Sequence, residues 1–311
     1  MKLATDKKFL FGISLAATSS LTFGLAPYFS IILMNNGFPA IEVLAYRWGV
    51  GALVLMLFAL LAGNSFRLPR KAVLPTLFVS VFRALTSITL LLSFQNITSG
   101  ASSTIHFMYP LIVAAIRMLF FHEKKSGIKI GAILFSIVGA ILLSSGGIHL
   151  EGGNLVRGLI YSILSVVTYA IYIIGLRSKA LEEVESTPLT CYVMGFAAIA
   201  FIITGQFTGG ITWIPFSEKY LWLHILGIAI PATAISNITL IKSVKLVGAT
   251  MSSILGILEP ITAVLIGIWA FSEPFTAKTA IGLAIIILAA CVVILNHRIE
   301  RKIQAKKQLN K

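Results

Sequence analysis

Residues 248–273 read GATMSSILGILEPITAVLIGIWAFSE, an apolar run of about the length that crosses a hydrocarbon core of ~30 Å. The run carries Glu259, followed at once by Pro260, and no other acid lies so far inside an apolar run. Residues 101–123, ASSTIHFMYPLIVAAIRMLFFHE, fall into register with it at a shift of 150: Ser102, Ser103, Pro110 and Glu123 match Ser252, Ser253, Pro260 and Glu273. One design is therefore written twice. Function is expected where the two copies face each other.

Composition sets the class. Of the 311 residues, 57% are hydrophobic and 12% charged, and the mean hydropathy is +0.94, whereas a soluble domain carries about 25% charged residues. Apolar runs of about 20 residues fall near 9–34, 42–63, 71–95, 100–121, 127–146, 155–177, 188–206, 219–241, 247–271 and 277–296. These predict an all-α polytopic membrane protein with ten transmembrane helices and no room for a soluble domain. The first run is too long for a signal-peptide core and is expected to stay attached.

The net charge of +14 suggests nucleic acid at first sight, but the basic residues lie between the runs and in the tail RIERKIQAKKQLNK, so no nucleic-acid partner is expected. With a cytoplasmic N-terminus, 20 of the 25 Lys and Arg fall inside and 3 outside. The positive-inside rule then places both termini in the cytoplasm. Arg47 and Arg83 are the two that remain within spans. Cys191 and Cys291 sit in apolar runs and read as small hydrophobes, not as a disulfide or metal pair.

The first and sixth spans also match: Gly12, Ser19, Thr22 and Phe23 meet Gly158, Ser165, Thr168 and Tyr169 at a shift of 146. Five spans per half is an odd number, so the second half must stand upside down relative to the first, the inverted repeat of many secondary carriers. The expected division is 1–146, 147–297 and a basic cytoplasmic tail, 298–311.

Two five-span halves, the run LAYRWGVGAL around Arg47, Pro110 followed by Glu123 and Pro260 followed by Glu273 resemble the EamA-type branch of the drug/metabolite transporter superfamily, over nearly the whole chain. The resemblance implies a ten-helix carrier, in bacteria of the inner membrane, that exports or imports amino acids or other small metabolites. It implies no cargo in particular. The halves differ at two positions, Glu259 against Tyr109 and Gly256 against His106.

Glu259 stands 11 residues past Gly248, about 16 Å along a helix, and so near mid-membrane. A carboxylate there costs at least about 2.5 to 3.5 kcal/mol if ionised. It should be paired, hydrogen-bonded, facing a wet cavity or protonated, and it is the leading candidate for substrate contact or proton coupling, ahead of a packing role. Pro260 removes a helical hydrogen bond and frees the carbonyl of Gly256. With Pro110 at the matching place, the pair reads as hinges or as static kinks.

Ser102, His106, Tyr109, Val113 and Arg117 share one helical face, and Ser252, Gly256, Glu259, Ala263 and Gly267 share the equivalent face. His106 and Tyr109 are candidates for ligand contact, against plain packing, and Tyr169 joins them from the sixth span. Arg83, about 18 Å beyond Lys71, needs a partner, and Glu259 is the expected one. Arg47 lies nearer the surface, where snorkelling competes with ligand binding. Lys242, Lys245 and Arg117 read as topological charges, Glu123 and Glu273 as helix-start residues.

Neither a GxxxxGK[ST] loop, nor a His/Cys cluster, nor a nucleophile elbow is present, so no cofactor, metal or ATP use is expected, and no enzyme. The expectation is a secondary transporter, in the exporting direction that the resemblance suggests, for a small polar metabolite such as an amino acid. Its chamber would be lined from spans 1, 3, 4, 6, 8 and 9, its movement driven by the proton gradient or simply downhill, and its assembly a monomer or homodimer in the bilayer. A membrane-embedded enzyme using His106 and Glu259, or a channel, are the rivals.

Overall fold

The computed structural model describes residues 2–97, 99–121, 127–143, 152–256 and 258–271, with separate positions between 276 and 295. Glu123, Glu273 and the tail 298–311 lie outside the described residues. Every regular element among those described is helical: α1 (Lys2–Phe23), α2 (Ala26–Asn35), α3 (Ala40–Leu61), α4 (Arg70–Phe94), α5 (Ser99–His106), α6 (Tyr109–Phe120), α7 (Gly127–Leu143), α8 (Leu155–Gly175), α9 (Lys179–Glu182), α10 (Ser186–Phe207), α11 (Lys219–Ala229), a π-helical turn (Ile230–Ile235), α12 (Ser236–Val247), α13 (Ala249–Leu255) and α14 (Leu258–Phe271).

Among the described residues, six helical stretches are long and apolar enough to cross a membrane: Lys7–Asn35, Ala40–Leu61, Arg70–Phe94, Leu155–Gly175, Ser186–Phe207 and Lys219–Val247. Large apolar side chains face outward as well as inward. Leu61, Phe207 and Trp269 are each more than 80% exposed, while the interior combines apolar clusters with many buried serines and threonines and with Arg47 and Arg83. Lipid is the solvent that makes both choices favourable.

Proline and glycine decide where the helices break. The first span is broken, not continuous as its apolar run suggests, because Pro27 in the first turn of α2 has no N–H and its ring opposes the carbonyl of Phe23. The fourth apolar run breaks at Phe107–Met108, with Pro110 in the opening turn of α6. The ninth run breaks at Gly256, with Pro260 in the first turn of α14. In the eighth, Pro231 sits in the π turn, where the backbone closes wider rings.

Helices from the two halves interdigitate. α4 lies along α8, α12 along α1, and α3 along α10. Several contacts recur with the halves exchanged. A Cβ at Gly12 would meet Val247 at 2.5 Å, and a Cβ at Gly158 would meet Ile97 at 2.5 Å, so each small residue admits a branched side chain from the other half. Tyr46 on α3 donates its hydroxyl to the carbonyl of Thr212 at 2.5 Å, and Tyr192 on α10 donates to Phe66 at 2.5 Å. Both members of that second pair are displaced by 146 from the first. Ser243 meets Ser252 at 2.8 Å, while Ser93 reaches Ser102 through Ser162, at 2.6 and 3.4 Å.

The helix ends are also tied. Glu42, in the first turn of α3, is buried and accepts the Thr212 backbone N–H at 2.7 Å, so Glu259 is not the single buried acid that its place in the sequence suggests. Lys245 is more than the topological charge that its position suggests: it donates to the carbonyl of Val184, beside an Arg177–Glu182 ion pair of 3.1 Å.

Candidate functional site

The helix breaks converge. Gly24, at the end of α1, lies so close to the start of α14 that a Cβ there would come 2.6 Å from Thr262 and 2.7 Å from the Glu259 carbonyl. A Cβ on Gly256 would run into the hydroxyl of Tyr109. The two positions where the halves differ are thus complementary: the ring of Tyr109 occupies the space that a side chain at 256 would need. The carbonyl that Pro260 was expected to free is not open, because Gly256 accepts the N–H of Glu259 at 2.9 Å in a tightened turn.

Two guanidinium groups are held next to this junction. Arg83 is 1% exposed; its Nε donates to Asn237 Oδ1 at 2.9 Å and its Nη1 to Ser87 Oγ at 3.4 Å. Its Cζ lies 5.1 to 5.6 Å from the ring centres of Trp48, Phe23, Tyr169 and Tyr172, within the range where a ring quadrupole attracts a cation. Arg47 is also buried, so the snorkelling alternative fails. Its Nε donates to Thr233 Oγ1 at 2.6 Å and its Nη2 to the Ala232 carbonyl at 3.4 Å.

The π turn positions both arginines. Thr233 Oγ1 donates to the Ile228 carbonyl at 2.7 Å and receives Arg47. Asn237, one helical turn on, donates to the Thr233 carbonyl at 2.7 Å, which leaves its Oδ1 turned toward Arg83. The direct Arg83–Glu259 ion pair expected from sequence is absent among the described residues, and the partner of the Arg83 Nε is Asn237. Glu259 is 94% buried and lies within electrostatic reach of both guanidinium groups.

Glu259 and Arg47 share a small cavity of about 10 Å³, room for about one water. Phe23, Ala26, Pro27, Ser30, Ser87, Leu90, Leu91 and Phe94 complete its wall. The lining comes from α1, α2, α3, α4 and α14. The second span contributes through Arg47, which the expected set of spans omitted, and the sixth and eighth act one layer behind.

His106, fully buried, is in that outer layer. Its Nδ1 meets Ser165 Oγ at 2.9 Å and its Nε2 has no hydrogen-bond partner. Tyr109 and Tyr169 pack edge to face at 4.6 Å beside it. Of the six side chains expected from sequence to meet substrate or a coupling ion, the structure places Glu259 and Arg47 at the cavity and Arg83, His106, Tyr109 and Tyr169 in the shell behind it, with Pro110 and Pro260 at the breaks. The sequence reading does not include Thr233, Asn237, Trp48, Tyr172 and Ser30. The signals for them were Pro231 and Asn237 inside an apolar run, and Trp48 beside Arg47.

Comparison with known proteins agrees with this architecture. A solved crystal structure superposes with a TM-score of 0.74 at 17% identity, covering 93% of this chain and 98% of the other. The chain is 24% identical over 259 residues to an uncharacterized inner membrane transporter, YicL, of Salmonella typhimurium, covering 79% of this chain and 82% of that protein. It is 23% identical to an uncharacterized transporter of Archaeoglobus fulgidus (85% and 90% covered), and 22% identical to the S-adenosylmethionine/S-adenosylhomocysteine transporter of Chlamydia muridarum (79% and 80% covered). Residues 10–145 and again residues 156–295 match one and the same family. This multi-pass membrane protein belongs to the EamA-like transporter family.

Proposed function

We propose that the chain is a secondary transporter of a small polar metabolite such as an amino acid, working by alternating access, and that it performs no chemistry on its cargo. Ten transmembrane helices form two inverted five-helix repeats, 1–146 and 147–297, with both termini and the tail 298–311 in the cytoplasm of a bacterial inner membrane. The reciprocal Tyr46–Thr212 and Tyr192–Phe66 bonds and the double family match support the repeat. The label of the Salmonella relative supports the membrane.

The observation that carries the reading is the convergence of the broken helices on Glu259 and Arg47. Discontinuous helices supply both free backbone and freedom to bend, and in carriers they surround the cargo near mid-membrane. With about one water's room the site is closed on the cargo path. Rocking at Pro110 and Pro260 would open it to one face and then the other, with a proton on Glu259 as the coupling ion and export as the direction. His106 stands behind the cavity wall, which weighs against a His106–Glu259 proton-transfer enzyme.

The test is counterflow in proteoliposomes preloaded with an amino acid, with a panel extended to S-adenosylmethionine because of the Chlamydia relative. Carrier-mediated exchange should saturate, and Glu259→Gln should abolish its dependence on a proton gradient. Flux that never saturates supports a channel; a chemically altered solute supports an enzyme.

A further inference from the structure

Resting on that carrier reading, we infer that the cavity between α2 and α4 is a carboxylate subsite with an apolar wall: the cargo's obligatory group is a single carboxylate, its body is aliphatic or aromatic, and an amine is dispensable.

Charge comes first. Arg47 in the cavity wall and Arg83 one layer behind it are both buried and stand against a single carboxyl group, Glu259, with no direct ion pair between them among the described residues. Whether or not Glu259 carries its proton, positive charge is in excess. Arg47 and Arg83 each spend two donors on protein oxygens, and a guanidinium has five. The N–H groups left on Arg47, the one of the two in the cavity wall, form the fork that a carboxylate accepts, and Arg83 adds its charge from behind.

A second, independent sign is Ser30. It is 1% exposed, lines the cavity, and its hydroxyl has no hydrogen-bond partner. An orphaned buried donor is costly, and its position beside Arg47 and Ser87 suits a ligand oxygen. The far wall is different in kind. Ser87, Leu90, Leu91 and Phe94 follow Arg83 along one face of α4, so polarity falls away along the helix, and Leu90, Leu91, Phe94 and Pro27 give the cavity an apolar lining. A sugar or a dicarboxylate would leave polar groups unpaired there.

Binding to purified protein in detergent, which needs no transport, tests this with three probes of one carbon skeleton: 4-methylpentanoate, 4-methylpentanamide and 4-methylpentylamine. The carboxylate should raise the melting temperature at millimolar concentration, and the amide and amine should bind at least tenfold more weakly. Arg47→Gln should lose the preference for the carboxylate. Because Arg47 also ties α3 to the π turn, Ser30→Ala is the companion variant: the empty protein should be as stable as the parent or more so, while carboxylate affinity falls severalfold. A merely structural serine would not move these in opposite directions.

Equal binding of amine and carboxylate, no carboxylate binding, or unchanged affinity in Ser30→Ala would each overturn the inference. Counterflow of some other cargo alongside that result would leave the carrier reading standing, and carboxylate binding without any flux would leave the subsite standing and the carrier reading in doubt.

Discussion

Gly256 and Tyr109 show how much is decided by single side chains. In the register of the two sequence runs His106 stands against Gly256 and Tyr109 against Glu259, and space links one member of each pair: the Tyr109 hydroxyl occupies the place of a Cβ at 256. Gly256→Ala should therefore cost about 1 to 3 kcal/mol, the usual penalty for overpacking, and Tyr109→Phe should relieve part of it in the double variant. Thermal unfolding of the four proteins measures the coupling, and strictly additive losses would count against the contact. Asn237 offers a second case. Removing its carboxamide as Asn237→Ala leaves a buried guanidinium donor unmatched, at about 1 to 3 kcal/mol, so a melt indistinguishable from the parent would contradict the role assigned to it. Neither partnership could be read from the chain, since Asn237 stands 154 positions from Arg83 and nothing local selects it over Glu259.

Helices were more legible than side-chain partners. Apolar length gave α3, α4, α8 and α10 to within a few residues of their observed ends, because a lipid-spanning segment has few other solutions. Pro110 and Pro260 announced two of the breaks. Pro27 and Pro231 carried the same signal for the other two, but without a matching proline at the repeat shift they read as part of unbroken spans. The reciprocal tyrosine bonds were hidden for a different reason: the chain shows Tyr46 and Tyr192 in register, but their acceptors are backbone carbonyls, which leave no trace in sequence. Tyr46→Phe and Tyr192→Phe should each lower stability by about 0.5 to 1.5 kcal/mol. Because the two tyrosines dock onto separate loops, at Thr212 and Phe66, the losses should add in the double variant. Losses that differ severalfold would show that the two bonds are not equivalent.

At the scale of the molecule, the two arms α5–α6 and α13–α14 break at matched positions and meet through Tyr109 and Gly256, while α1–α2 closes over them through Gly24. Such a junction is a weak place in an otherwise continuous bundle, and its weakness is useful if the cavity must face each side of the membrane in turn. The chemistry of the cavity wall and the mechanics of the breaks then belong to one device. Ser30 reports on both, as it lies on α2 beyond the first break and lines the cavity with Arg47 and Glu259. The most direct measurement is the labelling of Ser30→Cys, in a chain with Cys191→Ser and Cys291→Ser, by a small membrane-impermeant thiol reagent applied to intact cells and to inside-out vesicles. Alternating access predicts modification from both faces; modification confined to one face would contradict it.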